Sequence, residues 1–186
     1  NGTSKIFGQL EDYSYLGLGL IDLYKATGNH WYLNWAKQLL EITIERFWDK
    51  DNGGFFDTAI DSEELIMRPK AMFDSSTPSA NAAAGQLAAI LARYYNRTDW
   101  TNLSWTSIKP VLAHVDRAAT ALGTSLQTLA QLEFGLTEVA IVGSSIARQP
   151  LEREVARRYL PLTLLAIAQP QVNSNPPILE LFYNRM

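Results

Sequence analysis

From Ala82 to Ala92 the only polar side chain is Gln86. A helix without a solvent-facing stripe has to be covered on several sides, and alanines let its neighbours approach closely. The stretch from Ser79 to Tyr95 is therefore predicted to be an inner helix, and the surrounding chain must supply its cover. From Leu10 to Ala26 apolar residues fall nearly all round the helical wheel, which predicts a second inner helix, stopped at Ala26-Thr-Gly28-Asn-His30. From Trp31 to Trp48 a polar stripe of Asn34, Lys37, Gln38, Glu41 and Glu45 lies opposite Trp35, Leu39, Ile42 and Phe47, which predicts an outer, half-solvated helix. Asn102 to Leu122 carries Trp105, Ile108, Leu112, Val115, Ala119 and Leu122 on one face and reads as a second outer helix, with Pro110 kinking it or resetting its start.

Alternating inner and outer helices joined as hairpins build an α/α toroid, whereas a simple four-helix bundle shows four similar amphipathic faces. Beyond Gly123 the character changes. A short helix, Ser125 to Phe134, precedes the apolar run Val139-Ala-Ile-Val142. A charged helix opens at Pro150 and runs to Tyr159, and Leu162 to Ala168 reads as another strand. A crossover of that length predicts parallel strands and a right-handed β-α-β unit. Gln169 to Pro177 is predicted to be a loop and Ile178 to Met186 a short tail. The expected fold is mainly α: a partial α/α toroid over residues 1–122, then a helix and a small β-α-β appendage over 123–186.

Several function classes are excluded early. With 186 residues and 47% hydrophobic content, the chain can bury a sizeable core. A net charge of -3 with interspersed signs offers no footprint for a phosphate backbone, so nucleic acid is not an expected partner. The absence of cysteine removes disulfides, thiolate zinc sites and a cysteine nucleophile. No apolar run reaches the ~18 residues of a membrane span and no signal pattern opens the chain, so a cytoplasmic location is expected. A first residue other than methionine, just upstream of a helix, suggests a fragment or processed product.

Antiparallel hairpins decide where polar groups gather. The start of the first helix, the end of the second and the long connection from Asp49 to Pro78 share one end of the helical layer. The Thr27 to His30 turn lies at the other. Long connections on a rigid frame are where binding groups are usually mounted. Within this one, Asn52-Gly-Gly-Phe-Phe-Asp57 makes a turn into an extended piece, and Leu65-Ile-Met-Arg68 is a candidate partner for it. The candidate site comprises Glu11, Asp12, Tyr13, Phe56, Asp57, Arg68, Lys70, Asp74, Ser79 and Asn81. Glycosyl chemistry needs one protonated and one ionised carboxyl group, a pair that Asp74 with Glu11 or Asp12 would supply. Arg68 and Lys70 would orient the substrate, while Asn81 and Tyr13 would bind hydroxyls. Epimerisation calls for a well-placed base, commonly histidine, and neither His30 nor His114 is positioned for it. No cofactor and no metal site is expected, since the spacing of a calcium loop is lacking.

Each feature also has a structural reading. Acids in a first helical turn favour the macrodipole, and Asp74 with its serines and threonine makes a plausible cap and turn cluster. Arg68 has loop acids within reach in sequence, Asn52-Gly-Gly is ordinary hairpin chemistry, and the tryptophans and tyrosines serve mostly as core. Gly143-Ser-Ser lacks a phosphate-binding pattern. Asn1-Gly-Thr, Asn96-Arg-Thr and Asn102-Leu-Ser match a common glycosylation triplet.

Leu10-Glu-Asp-Tyr13, Leu23-Tyr24 with Ala26-Thr-Gly28, Trp31-Tyr-Leu33, Asn52-Gly-Gly-Phe-Phe56, Arg68-Pro-Lys70 and Asp74 with Thr77-Pro-Ser79 and Asn81 together resemble a family. They look like the C-terminal toroid of the YyaL-like, spermatogenesis-associated thioredoxin-domain proteins. Glu138-Val-Ala-Ile-Val-Gly143 and Tyr159-Leu-Pro161 are similar to its closing β-α-β segment. The resemblance implies a six-hairpin toroid related to glycosidases and N-acylglucosamine 2-epimerase, following an N-terminal thioredoxin-like domain that this chain lacks. Ser75-Ser76 and Ala80 stand where the family carries glycine-alanine and glycine. Two functional expectations stay open: a carbohydrate-related domain that binds or processes a sugar or polyol, and a non-catalytic binding or scaffold module of a larger protein. A half toroid also leaves helices uncovered, which suggests either a homo-oligomer or docking of the missing domain.

Overall fold

The computed structural model describes residues 8–62 and 67–169. The expectations for residues 65–66, for the stretch from 170 onward and for Asn1 lie outside the described residues. The described chain is mainly helical. Its elements are α1 (Leu10–Thr27), α2 (His30–Phe47), α3 (Ala80–Tyr95), α4 (Thr98–Leu112), α5 (Val115–Ala118), a 3-10 turn at Ala119–Ala121, α6 (Gly123–Glu133), β1 (Thr137–Val142), α7 (Ser145–Ala156) and β2 (Thr163–Ala168).

The nearly apolar helix α3 sits at the centre. Apart from Arg93 and Tyr95 all of it is buried, and it packs against α1, α4 and α6, with a lesser contact to α2. Small residues make this possible. A Cβ on Gly17 of α1 would lie 2.4 Å from Leu87 Cδ2, and one on Gly85 would lie 2.2 Å from Ser107 Oγ of α4. The core gathers Ile21 and Tyr24 of α1, Leu33, Ala36 and Leu40 of α2, Leu87, Leu91 and Tyr94 of α3, and Trp100 of α4. The chain turns where expected between α1 and α2: Gly28 takes φ +66°, its amide donates to Tyr24 O at 2.7 Å, and Asn29 caps α2 by accepting from Trp31 N.

Several expectations are corrected. Helix α1 is not enclosed on several sides. It buries one stripe, Leu10, Ser14, Gly17, Leu20, Ile21 and Tyr24, and leaves Leu16 and Leu23 exposed, because among the described elements α2 and α3 are its main packing partners. On α2, Trp35 is exposed with its ring centre 5.5 Å from that of Trp31, and Ile42 is exposed too, rather than both lying in the core. The predicted 102–122 helix is two helices and a turn. It begins at Thr98 and stops at Leu112, with Pro110 inside its last turn, where the missing N–H removes the bond to the Thr106 carbonyl. Pro150 does not open the charged helix. Ser144 does, accepting from Ala147 N at 3.3 Å, and Pro150 sits inside α7, where the carbonyl it leaves unpaired belongs to exposed Ile146.

The two strands are parallel, as the crossover length requires, with Thr137 opposite Thr163 and Val142 opposite Ala168. Leu164 and Ala166 of β2 join the helical core, while Leu165 and Ile167 turn to the other face with Ile141, Val139 and Val155 of α7. Side chains of the helical layer bind the outer edge of β2. Tyr94 Oη donates to Leu165 O at 2.8 Å, Tyr24 Oη accepts from Ile167 N at 3.3 Å, and His30 Nε2 lies 2.8 Å from Ile167 O. No helix among the described residues is long and apolar enough to cross a membrane.

The α1–α3 approach predicts opposite outcomes for two nearby glycines. Gly17→Val should lower stability by about 1–3 kcal/mol through overpacking against Leu87. Gly19→Ala, with nothing within 4 Å of its new methyl, should raise it by about 0.5–1 kcal/mol. Urea denaturation of the two variants measures both.

Candidate functional site

The antiparallel hairpin gathers the predicted residues at one end. Leu10 N donates to Asp57 O at 2.9 Å, Phe56 N to Phe47 O at 2.8 Å, and Asp57 N to Pro69 O at 2.8 Å, joining the start of α1, the end of α2 and the loop. Tyr15 Oη donates to Pro78 O, drawing in the start of α3. His30 lies at the other end, against β2, whereas His114 is exposed and its ring centre lies 6.0 Å from that of Phe73, the residue before Asp74.

Asn81 is the most enclosed member. Its Oδ1 accepts from Phe55 N at 2.7 Å and its Nδ2 donates to Ser107 O at 2.8 Å, so one buried amide joins the loop, α3 and α4. Both ends of a would-be hydroxyl binder are thus engaged. Lys70 Nζ donates to Asp49 Oδ2 at 2.7 Å and to Gly53 O at 2.6 Å. Its ammonium lies 4.6 Å from the Phe56 ring centre, and the Arg68 guanidinium lies 4.1 Å from the same centre. Arg68 also donates to Thr58 O, and to Arg46 O at 3.3 Å. Burial lowers its pKa, opposed by the charge of Asp49.

The acids divide by role. Asp74 Oδ1 accepts from Ser79 N at 2.7 Å and Oδ2 from Thr124 N at 2.8 Å, so one carboxylate splints the starts of α3 and α6. Ser79 caps α3 by accepting from Ala82 N at 3.1 Å, and it donates to Ala71 O at 2.6 Å. Asp12 accepts from Gln9 N at 2.8 Å at the head of α1. Glu11 and Asp12 are exposed, and no hydrogen bond among the described residues joins either to Asp74, Arg68 or Lys70. Asp57 Oδ1 accepts from Ala71 N at 2.9 Å; burial pushes its carboxyl up, partly offset by that amide. Tyr13 packs against Phe47 with ring centres 5.3 Å apart and accepts from Arg46 Nη1 at 3.3 Å. Arg46 in turn holds both oxygens of Asp61, at 2.6 and 2.8 Å. No group of three or more histidines or acids poised for a metal occurs among the described residues.

Sequence reasoning missed Asp49. Its Oδ1 accepts from Asp51 N at 2.9 Å and Asn52 N at 3.1 Å, and its Oδ2 receives Asn52 Nδ2 as well as Lys70. The signal was present, since an aspartate three residues before Asn-Gly-Gly is where a side chain closes a turn on itself. The Lys70 ammonium, aided by the Asn52 and Asp51 amides and opposed by burial, holds the Asp49 carboxyl well below the usual carboxylate range.

Two outcomes follow from this wiring. Asn81→Ala should cost about 2–4 kcal/mol in urea unfolding, since it strands a buried N–H and a buried carbonyl at once. Because folding lowers the pKa of Asp49, its stabilisation is complete above the unfolded value near ~4 and is lost as pH falls below it. Urea midpoints should drop across that acid limb, and Lys70→Met should make the drop shallower.

No protein-family model matches the chain. It is homologous to spermatogenesis-associated protein 20 of Mus musculus and of Homo sapiens. Each is 28% identical over 165 residues, covering 87% of this chain and 21% of the relative. The same protein of Rattus norvegicus aligns equally well. The chain spans about a fifth of the length of the curated relatives it matches.

Proposed function

We propose that this chain is a non-catalytic helical module of a larger protein, a segment of an α/α toroid whose loop-rich end is a structural clamp. The observation that carries the reading is the state of Asp74. Both of its oxygens are taken by main-chain amides at helix starts, whereas a general acid or nucleophile needs an oxygen free to meet substrate. Asn81, Ser79, Lys70 and Asp12 are likewise engaged within the chain. The module reading is further supported by exposed apolar side chains at helical spacing on α1 (Leu16, Leu23) and α2 (Trp31, Trp35, Ile42), the kind of surface that further helices cover. A position within a longer protein, including one with a thioredoxin-like domain, accords with the small share of its relatives that the chain spans.

One observation favours a sugar-processing alternative. Exposed Glu11 follows Leu10, whose amide is bonded to Asp57 O, and the Asp57 carboxyl is pushed up by burial. A glycosidase needs one carboxyl that keeps its proton, a part the half-buried Asp57 would take, with Glu11 as its candidate partner. That pair, rather than Asp74, would carry the chemistry.

Asp74→Asn tests the choice, since its amide nitrogen would face one of the two main-chain donors. The module reading predicts a stability loss of about 1–3 kcal/mol and no rise in the melting temperature of either protein with a panel of sugars and polyols. Ligand-induced stabilisation of the wild type that Asp74→Asn leaves intact and Asp57→Asn abolishes would transfer the function to the alternative pair.

A further inference from the structure

Asn52-Gly53 is a dipeptide open to cyclisation, since glycine carries no side chain to keep the asparagine carboxamide away from its nitrogen. The fold requires glycine there. Its φ is +73°, and a Cβ would lie 2.2 Å from Thr106 Cγ2 of α4. Asn52 is exposed, so water reaches its side chain. Asp49 holds both reacting groups. Its main-chain oxygen accepts from Gly53 N at 3.0 Å, and its carboxylate accepts from Asn52 N at 3.1 Å and from Asn52 Nδ2 at 3.3 Å. Lys70 closes the turn from the other side, donating to Asp49 Oδ2 at 2.7 Å and to Gly53 O at 2.6 Å. The nucleophile in cyclisation is the Gly53 nitrogen stripped of its proton, and that proton is the one given to Asp49 O.

We propose that Asn52 is a site of spontaneous deamidation that Asp49 keeps closed in the folded chain, and that its modification unlocks the turn. When the turn opens, hydroxide takes the Gly53 amide proton and the nitrogen attacks Asn52 Cγ. A new C–N bond forms, the bond from Cγ to Nδ2 breaks, and Nδ2 leaves as ammonia with a proton from water. Water then opens the succinimide ring at either carbonyl, leaving aspartate or isoaspartate. The sum is asparagine and water in, aspartate or its isomer and ammonia out. Aspartate sets a second carboxylate against Asp49 Oδ2 where an amide donor stood, so two like charges share Lys70. Isoaspartate runs the main chain through the former side chain, one carbon longer, and displaces the Gly53 N–H from Asp49 O. Either product loosens the turn that leads into Phe55 and its bond to Asn81.

Timed mass spectrometry of the full chain, with peptide mapping to Asn52, reads the reaction. The folded wild type should deamidate there at least about tenfold more slowly than the same chain unfolded in urea. Asp49→Ala, folded by circular dichroism, should recover most of that difference, with its Gly53 amide exchanging faster in step. If that variant fails to fold, Lys70→Met decides, since it removes the tie between Asp49 Oδ2 and Gly53 O and should also speed the reaction. Gly17→Val, destabilised far from the turn, should leave the rate unchanged. Asn52→Asp, which carries the product's charge, should unfold at lower urea than Asn52→Ala. A wild type that deamidates as fast folded as unfolded overturns the proposal. So does a folded Asp49→Ala, or Lys70→Met in its place, that reacts no faster than wild type. An acceleration by Gly17→Val that matches that of Asp49→Ala, or an Asn52→Asp as stable as Asn52→Ala, overturns it too.

Discussion

The side chain of Asn81 fixes the end of the molecule on which everything functional was expected to sit. A loop of about thirty residues between two helices is unusually long for a compact helical layer, and its main-chain groups need partners wherever it touches the core. Asn81 meets that need at the deepest point, receiving Phe55 N and giving to Ser107 O. Phe55 is thereby drawn into a small core with Leu10, Phe47, Ala59, Ala80 and Ala84. With Phe55 held, the turn before it closes on Asp49, and the segment after it runs beside Pro69 and Ala71 through Asp57.

The same logic extends outward. Asp74 spans the starts of α3 and α6, and Lys70 and Arg68 bracket Phe56 while bonding to loop carbonyls and Asp49. Carboxylates, amides and cations that suit a sugar pocket are equally the groups that satisfy orphan amides and carbonyls at helix ends. Here the second use dominates. The chain is homologous to spermatogenesis-associated protein 20 over most of its own length but over about a fifth of that protein, which accords with a module whose exposed faces serve packing.

Much of the fold was legible because it rests on local rules. The apolar run of α3 left no option but a central position, and the Thr27 to His30 stop and the parallel strands followed from cap chemistry and crossover length. Convergence at one end was legible too, from antiparallel order alone. What failed depended on neighbours. The wheel of α1 looks the same whether two or four elements cover it, and Trp35 and Ile42 read as core only if something packs on them. Pro150 was misread because proline can sit within a helix when the carbonyl it orphans reaches water. The role of Asp74 was out of reach because its second partner, Thr124, lies fifty residues onward in a helix whose approach no local signal announces.

Native-state hydrogen exchange of the Phe55 amide tests the central claim most directly, that the loop-rich end is a rigid clamp held by Asn81. If it is, the Phe55 amide exchanges only with the cooperative opening that exposes the core of α3, with a free energy matching those of Leu87 and Leu91. Exchange of Phe55 through a far smaller opening, while Leu87 and Leu91 stay protected, would describe a mobile mouth and contradict the account.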